Sequence, residues 1–203
     1  MKLSYKFIIR ILGLLGYIEG FTMLPCGFVA LHFGESSSAL PLFLVGIASI
    51  LFGHFVMVTT NFTGLLVKTA EGYRMAAICW IFCSLLGALP FYFSGNGFTL
   101  VQSFFESVAG FTTTDATVIR IESMPHALVL WRSIENWLGG MGILILIISM
   151  FPNLGFTGQS IAQAETTGPT LEKLDAKFSD TGKYLYLIYS SLTLILFFLL
   201  LAG

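Results

Sequence analysis

The chain has 203 residues, of which 56% are hydrophobic and only 10% are charged, and its formal net charge at pH 7 is −1. Soluble domains carry about 25% charged residues, so this composition predicts a membrane protein with several spans. Since the sequence has no basic arm or patch, nucleic acid is not an expected partner. The three cysteines, Cys26, Cys79 and Cys83, lie inside apolar runs and predict no disulfide framework.

Five long apolar segments predict five transmembrane helices. They cover residues 7–33, 40–59, 75–93, 127–151 and 184–201. The longest polar loops between these segments lie at residues 61–74 and 152–183. Basic residues precede the first segment, but its apolar run continues without a small-residue cleavage site. We therefore predict a retained first span and not a signal peptide.

One further apolar segment, residues 100–110, is too short to cross a membrane. As a helix it would reach about 16 Å, against a hydrocarbon core of about 30 Å. Residues 112–117, which follow it, have no helical periodicity. Non-helical backbone at membrane depth is tolerated only where protein buries it or where it lines a watery path. We predict a re-entrant half-helix followed by a cation filter, and the alternative is a surface turn after an amphipathic helix.

The basic residues predict the orientation of the spans. With the N-terminus in the cytoplasm, eight lysines and arginines fall on the cytoplasmic side, and only Arg120 and Arg132 fall outside. This distribution follows the positive-inside rule. It places the half-helix and the threonine-rich stretch at the outer face, which is where a filter for uptake belongs.

Short motifs follow one another in a fixed order between residues 71 and 190. They are Gly87-Ala88-Leu89-Pro90-Phe91, Phe104-Phe105-Glu106-Ser107, Gly110-Phe111-Thr112-Thr113-Thr114, Ala116-Thr117, Met124-Pro125-His126-Ala127, Trp137-Leu138-Gly139-Gly140-Met141-Gly142-Ile143, and Ala164-Glu165 with Gly168-Pro169. Each motif is weakly specific by itself. In this order and spacing they resemble the first pore loop and its flanks in the Trk/Ktr potassium-uptake superfamily, in particular TrkH-like membrane subunits.

The resemblance implies an all-α membrane architecture of two leading helices and four repeats around one pore, each repeat being helix, pore loop and helix. On this template the chain divides into a leading two-helix segment (1–70), a first repeat (71–152), and a cytoplasmic loop with the first helix of a second repeat (153–203). One loop cannot enclose a pore. We therefore expect the N-terminal portion of a longer pore subunit, and a homotetramer of a short chain is the alternative.

The resemblance also implies K⁺ uptake through a filter-type pore, driven by the membrane potential and without enzymatic activity. K⁺ is the transported ion, and no covalently bound cofactor is expected. The implied partners are a second copy of the full-length chain, a cytosolic nucleotide-binding regulatory subunit of the TrkA type, and membrane lipid. The implied location is the bacterial cytoplasmic (inner) membrane, as a multi-pass protein with a cytoplasmic N-terminus.

Two alternatives to K⁺ uptake remain open from the sequence. One is a transporter of the same architecture that moves Na⁺ or both ions. The other is a membrane enzyme or a non-conducting assembly module, in which four ionisable residues would gather at one pocket. These four are Glu106, Asp115, His126 and Glu135.

Carried over residue by residue, the filter of the family falls on Thr112, Thr113, Thr114, Asp115 and Ala116, with Thr113 and Thr114 as the implied K⁺ ligands. Asp115 stands where the family usually has glycine. Aspartate reaches the left-handed backbone region more readily than most residues, so the loop is expected to survive the change. Its carboxylate either attracts cations at the mouth or hydrogen-bonds its own turn. No catalytic residue is predicted.

Further polar and glycine positions flank the loop. Gly139, Gly140 and Gly142 predict close helix packing or a gating hinge, with packing favoured. Glu106 is unfavourable at a helix C-terminus, so it should have a partner, and bracing of the loop is its expected role. Arg132 and Glu135 are three residues apart and predict a local ion pair. The three histidines lie on different segments and predict no metal site.

Overall fold

A computed structural model describes residues 5–60, 69–150 and 171–202, and this part of the chain is helical without any strand. The α-helices in chain order are α1 (Tyr5–His32), α2 (Ser36–Thr59), α3 (Thr69–Phe93), α4 (Leu100–Phe111), α5 (His126–Met150) and α6 (Leu171–Ala202). A single 3-10 turn at Ile121–Ser123 precedes α5. The predicted all-α class is confirmed.

Four of the described helices are long and apolar enough to cross a membrane. Their candidate spans are Ile8–His32, Ser36–Thr59, Arg74–Phe93 and Lys183–Ala202. The side chains of α5 are described only for residues 126–142, a stretch too short to be counted as a span. The count of five spans therefore stays a prediction, as does the re-entry of α4 into the membrane.

The last helix begins earlier than the sequence predicted. We expected a polar loop up to residue 183, but α6 begins at Leu171, so the prediction is wrong for residues 171–183. Leu171, Leu174 and Phe178 recur at helical spacing within this charged stretch. Apolar residues at this spacing are sufficient for an amphipathic helix, even though the stretch as a whole is polar. The predicted loop at residues 61–74 is likewise wrong for residues 69–74, because α3 begins at Thr69. Residues 61–68 and 151–170, with the motif at 164–169, lie outside the described residues.

Small residues bring α1 and α2 together as an antiparallel hairpin. A Cβ atom on Gly20 would lie 2.6 Å from the carbonyl oxygen of Gly46, and one on Gly53 would lie 2.5 Å from the carbonyl oxygen of Gly13. Real Cβ atoms do not approach so closely, so the two backbones are in direct contact. This is how helices associate in membranes, where van der Waals packing replaces the hydrophobic effect between helices.

The chain forms two compact units, residues 1–140 and 141–203. In the first unit, the buried core contains Met23 and Leu42 from the α1–α2 hairpin, Phe91 from α3, and Leu128 and Trp131 from α5. In the second unit, large apolar side chains are exposed along the described part of α6. The site described below belongs to the first unit.

The short helix α4 buries polar side chains along with the apolar Ala109 and Phe111 near its end. Ser103, Glu106 and Ser107 are buried, whereas Leu100 and Val101 are exposed. A soluble amphipathic helix has the opposite arrangement. The polar inner face of α4 therefore supplies the hydrogen-bonding groups that position the loop after it.

Candidate functional site

The start of α4 is fixed by its own sequence. The Thr99 hydroxyl accepts a hydrogen bond from the backbone N–H of Gln102 at 3.2 Å, and the Gln102 side chain accepts one from the backbone N–H of Thr99 at 2.9 Å. This is a capping box, which satisfies two N–H groups that would otherwise lack partners. Gly95 and Gly97, both at positive φ, make the turn from α3 into this start.

The chain folds back on α4 directly after the helix ends. The N–H of Thr113 donates to the carbonyl of Gly110 at 2.9 Å, and those of Thr114 and Asp115 donate to the carbonyl of Ala109 at 3.1 and 3.3 Å. Thr113 and Asp115 have φ values of 56° and 57°, in the left-handed region. For β-branched Thr113 this conformation costs about 1–3 kcal/mol, so the surrounding contacts must hold it.

The predicted filter residues lie on an exposed loop. Residues 112–118 are all exposed, and residues 114–117 have no regular secondary structure. The hydroxyl of Thr112 donates to the carbonyl of Val108 at 2.7 Å. The same hydroxyl lies 2.9 Å from the hydroxyl of Thr114. Among the described hydrogen bonds, none ends on the carbonyl oxygens of residues 112–115. These oxygens are therefore open to a ligand from outside the described chain.

Arg132 of α5 holds this loop from behind. Its Nη1 donates to Oδ1 of Asp115 at 2.6 Å, and its Nη2 donates to the carbonyl of Ala116 at 3.0 Å. Its Nε donates to Oε2 of Glu106 at 3.0 Å. The guanidinium thus joins α4, α5 and the loop with one planar group, a geometry that lysine cannot reproduce.

Glu106 binds the chain that follows the loop, and together with Arg132 it forms what we call the loop brace. Its Oε1 accepts hydrogen bonds from the Thr117 hydroxyl and the Val118 N–H, both at 2.8 Å, and from the Ile119 N–H at 3.2 Å. The side chain is 0% exposed. The prediction that Glu106 has partners and braces the loop is confirmed.

The predicted ion pair between Arg132 and Glu135 is wrong. The arginine is directed to Glu106 and Asp115, while Oε1 of Glu135 accepts a hydrogen bond from the Ser107 hydroxyl at 2.6 Å. Positions three apart on a helix are neighbours, but a long side chain takes the stronger buried partner when a packed helix offers one. Asp115 likewise bonds Arg132 and not its own turn.

Gly139 lets α5 cross the end of α4 at backbone contact. A Cβ atom on Gly139 would overlap the carbonyl oxygen of Phe111 and lie 2.6 Å from its carbonyl carbon. Gly110 is similarly close, since its Cβ position lies 3.0 Å from the Glu135 side chain. Gly139 is therefore a packing glycine directly beneath the loop. The roles predicted for Gly140 and Gly142 stay predictions.

A contact that the sequence did not reveal joins the α1–α2 turn to the start of α5. Glu35 accepts hydrogen bonds from the N–H groups of His126 at 2.8 Å and Ala127 at 3.1 Å, and from Nδ1 of His126 at 2.8 Å. The ring of Phe33 stacks on that of His126, with 4.3 Å between centroids. A carboxylate from a distant segment thus caps α5, and His126 lies apart from Glu106 and Asp115, which weighs against the one-pocket alternative.

Replacing Glu35 with glutamine should destabilise the fold by about 1 kcal/mol near neutral pH, as for other lost helix caps. Burial alone would raise the pKa of Glu35, but the hydrogen bonds from Ala127 and His126 outweigh it and lower the pKa below its ordinary value of 4.5. A lowered pKa stabilises the fold above that ordinary value, and this stabilisation is lost as the pH falls through the lower folded value.

The measurement is thermal unfolding in detergent across the acidic range, with wild type, Glu35→Gln and the exposed control Glu122→Gln. The difference between wild type and Glu35→Gln should shrink at pH values below 4.5. The control should follow wild type throughout. A difference that grows on acidification would contradict the assignment of Glu35 as an ionised cap.

Four helices long and apolar enough to cross a membrane, together with a short helix and an exposed, braced loop between α3 and α5, define a multi-pass membrane protein. The chain belongs to the TrkH family, since the model of that family, described as a cation transport protein, matches residues 41–203. The resemblance seen in the sequence is thereby confirmed.

Known proteins similar to this chain cover nearly all of it. The Trk system potassium uptake protein TrkH of Escherichia coli K12 is 35% identical over 196 residues, which are 94% of this chain and 40% of that protein. TrkG of the same organism is 34% identical over 186 residues, 89% of this chain and 38% of that protein. The crystal structure of the potassium transporter TrkH from Vibrio parahaemolyticus matches with a TM-score of 0.77 at 29% identity, over 95% of this chain and 38% of that chain. The chain therefore spans about two fifths of the length of these relatives.

Proposed function

We propose that this chain contributes one filter loop, residues 112–116, to a pore that takes up K⁺. The observation that carries the proposal is the exposed loop whose carbonyl oxygens at 112–115 accept no described hydrogen bond, while Arg132 and Glu106 fix it from behind. Relatives similar over most of this chain are named potassium uptake proteins. The family is described as transporting cations, and we infer a transporter and not an enzyme.

Free carbonyl oxygens on a braced loop are the chemistry that a permeating cation requires. Such oxygens replace the hydration shell of the ion, and the fixed backbone removes the cost of gathering them at each passage. The C-terminal end of α4 adds the negative end of a helix dipole close to the loop. Ala116 differs from its neighbours, because its carbonyl is occupied by Arg132. We therefore assign coordination to residues 112–115, with Thr113 and Thr114 at the centre.

The pairing of Asp115 favours K⁺ over the Na⁺ alternative. A free carboxylate is a ligand of high field strength and would favour the smaller ion, whereas one oxygen of Asp115 is already held by the Arg132 guanidinium at 2.6 Å. The formal charges of Glu106, Arg132 and Asp115 sum to −1, and the Asp115 side chain is 64% exposed. The remaining charge attracts cations to the mouth without supplying a bare carboxylate to the filter.

The remaining parts of the proposal follow the family architecture. Several loops must surround one axis, so the division at residues 1–70, 71–152 and 153–203 is proposed as a leading pair, a first repeat and the start of a second. We propose a cytoplasmic N-terminus in the bacterial inner membrane, and the membrane potential, worth about 2.3 kcal/mol per charge per 100 mV, as the driving force. The proposed partners are a second copy of the full-length protein and a TrkA-like regulatory subunit.

Thr113→Leu and Thr114→Leu in the full-length protein should each abolish growth of a K⁺-uptake-deficient strain on low K⁺. Each change replaces a hydroxyl with a larger apolar side chain beside the carbonyl oxygens that are proposed to coordinate the ion. Thr59→Leu is the matched control, because Thr59 is exposed at the end of α2 and bonds only within its own helix. Unchanged growth of both filter variants, at normal protein levels, would overturn the proposal. Uptake of labelled Rb⁺ that Na⁺ suppresses at equal concentration would favour the Na⁺ or mixed-ion alternative.

A further inference from the structure

Two glutamates are buried inside the helix bundle of the first unit. Glu19 lies within the α1 span and is 2% exposed, and Glu135 lies on α5 and is 0% exposed. Three of their four carboxyl oxygens, both of Glu19 and Oε2 of Glu135, have no partner at hydrogen-bond geometry in the described part of the chain, although the Cys83 thiol lies beside Glu19. The fourth, Oε1 of Glu135, accepts the hydroxyl hydrogen of Ser107. Neither residue has a part in the loop brace.

Neither carboxyl forms an ion pair with a described residue. The ionisable groups that face them are Cys26 on α1, Cys83 on α3, Glu106 on α4 and Arg132 on α5. The guanidinium of Arg132 is the cation of this set, and it already pairs with Glu106 and Asp115. Glu19 and Glu135 lie within electrostatic range of each other and would repel if both were ionised.

Ionised carboxylates in this position would be very unfavourable. Moving an isolated carboxylate from water into an apolar interior costs tens of kcal/mol by Born solvation, and proteins avoid the cost by neutralising the group. Intramembrane carboxyls are accordingly paired, hydrated or functional. Glu135 also stands against the C-terminal turn of α4, whose dipole disfavours a negative charge. The arrangement requires either a proton or a bound cation on these groups.

The side chains around the two carboxyls favour a proton over a metal ion. No group of three or more His, Cys, Asp or Glu side chains among the described residues has the geometry to hold a metal. On the side of α4, Oε2 of Glu135 lies only 3.0 Å from the position of a Cβ atom on Gly110. The carboxyl thus packs close to the backbone of α4, and a carboxylic acid hydrogen needs no further volume there.

We propose that Glu19 and Glu135 form an intramembrane proton-binding site, in which both carboxyls carry a proton at neutral pH. The neutral Glu135 accepts the Ser107 hydroxyl through Oε1 and bears its proton on Oε2, beside Gly110. It thereby packs against the inner face of α4 directly behind the loop. If Glu135 lost that proton, its carboxylate would add a second negative charge near that of Glu106. It would also lie against the C-terminal turn of α4, whose dipole disfavours negative charge. This inference depends on the buried core and not on the identity of the transported ion.

Infrared spectroscopy of the full-length protein in lipid vesicles tests the proposal, because a protonated carboxyl has a carbonyl stretch that a carboxylate lacks. Glu19→Gln and Glu135→Gln should each remove one carboxylic acid from the neutral-pH spectrum, and the double variant should remove two. Glu122→Gln, at an exposed position, should remove none. Wild-type spectra with and without Na⁺ and K⁺ should be the same.

Three results would overturn the site. One is that neither buried variant loses a carboxylic acid signal, which would mean that both groups are ionised. Another is that Na⁺ or K⁺ abolishes the signal in wild type, which would make the pair a cation site. The third is failure of Glu135→Gln to fold. Glutamine has the same shape as a protonated glutamate and is also neutral, so the proposal requires this variant to fold. Retained thermal stability of that variant, together with instability of Glu135→Lys, would support it.

Discussion

Arg132→Gln in the full-length protein should abolish cation uptake and destabilise the fold by about 3–5 kcal/mol, the usual cost of removing one partner of a buried ion pair. The change leaves Glu106 charged and fully buried, and it frees both Asp115 and the carbonyl of Ala116. Most of the energetic effect is expected from Glu106, because Asp115 is 64% exposed and its pair is screened by solvent. Thermal unfolding in detergent and uptake of labelled Rb⁺ measure the two effects.

Three companion variants separate charge from geometry at this position. Arg132→Lys keeps the charge but cannot contact Glu106, Asp115 and the Ala116 carbonyl with one rigid fork, so it should retain much of the stability and lose most of the uptake. Glu106→Gln combined with Arg132→Gln should recover part of the stability, because no buried charge is left unpaired. Arg120→Gln, at an exposed arginine, should leave both measurements unchanged. Wild-type stability of Arg132→Gln would contradict the brace.

Gly139→Ala should abolish uptake although it adds a single methyl group. The new Cβ atom would overlap the carbonyl oxygen of Phe111, so the backbone of α5 or that of α4 must move. Forcing an extra methyl group into a packed interior costs about 1–3 kcal/mol, and here the displaced atoms are main chain and cannot change rotamer. Since the loop begins at Thr112, the residue after Phe111, the displacement passes directly into the proposed filter.

Gly16→Ala is the matched control for this substitution. A Cβ atom on Gly16 would lie 3.6 to 3.8 Å from the side chains of Phe52, Phe82 and Leu86, which is ordinary van der Waals contact. Alanine is about 1 kcal/mol more favourable than glycine within a helix, so this variant should be as stable as wild type or more stable. Equal uptake by Gly139→Ala and Gly16→Ala would show that α5 does not press on the loop.

The sequence alone determined the helices and the character of the loop. Apolar runs of membrane length predicted α1 and α2 to within four residues at each end, and the C-terminal end of α3 at Phe93, although α3 begins six residues earlier than predicted. The shortness of the next run predicted α4. The change from apolar residues to threonines predicted the end of that helix. The position of Glu106 near the C-terminal end of that helix also indicated that its carboxylate needs a partner. These features depend on hydropathy, propensity and helix-end electrostatics within one or two turns, so neighbouring residues suffice to encode them.

Only the tertiary structure decided which distant groups meet. Spacing along α5 predicted that Arg132 would pair with Glu135, but the crossing of α5 over α4 turns the arginine to the loop and Glu135 to Ser107. The contact of Glu35 with His126 joins residues 91 positions apart. Helical periodicity places a residue on a face of its own helix but does not say which neighbour that face meets. That choice is made by backbone approach at glycines such as Gly139, because only there are the helices close enough to bring these side chains together.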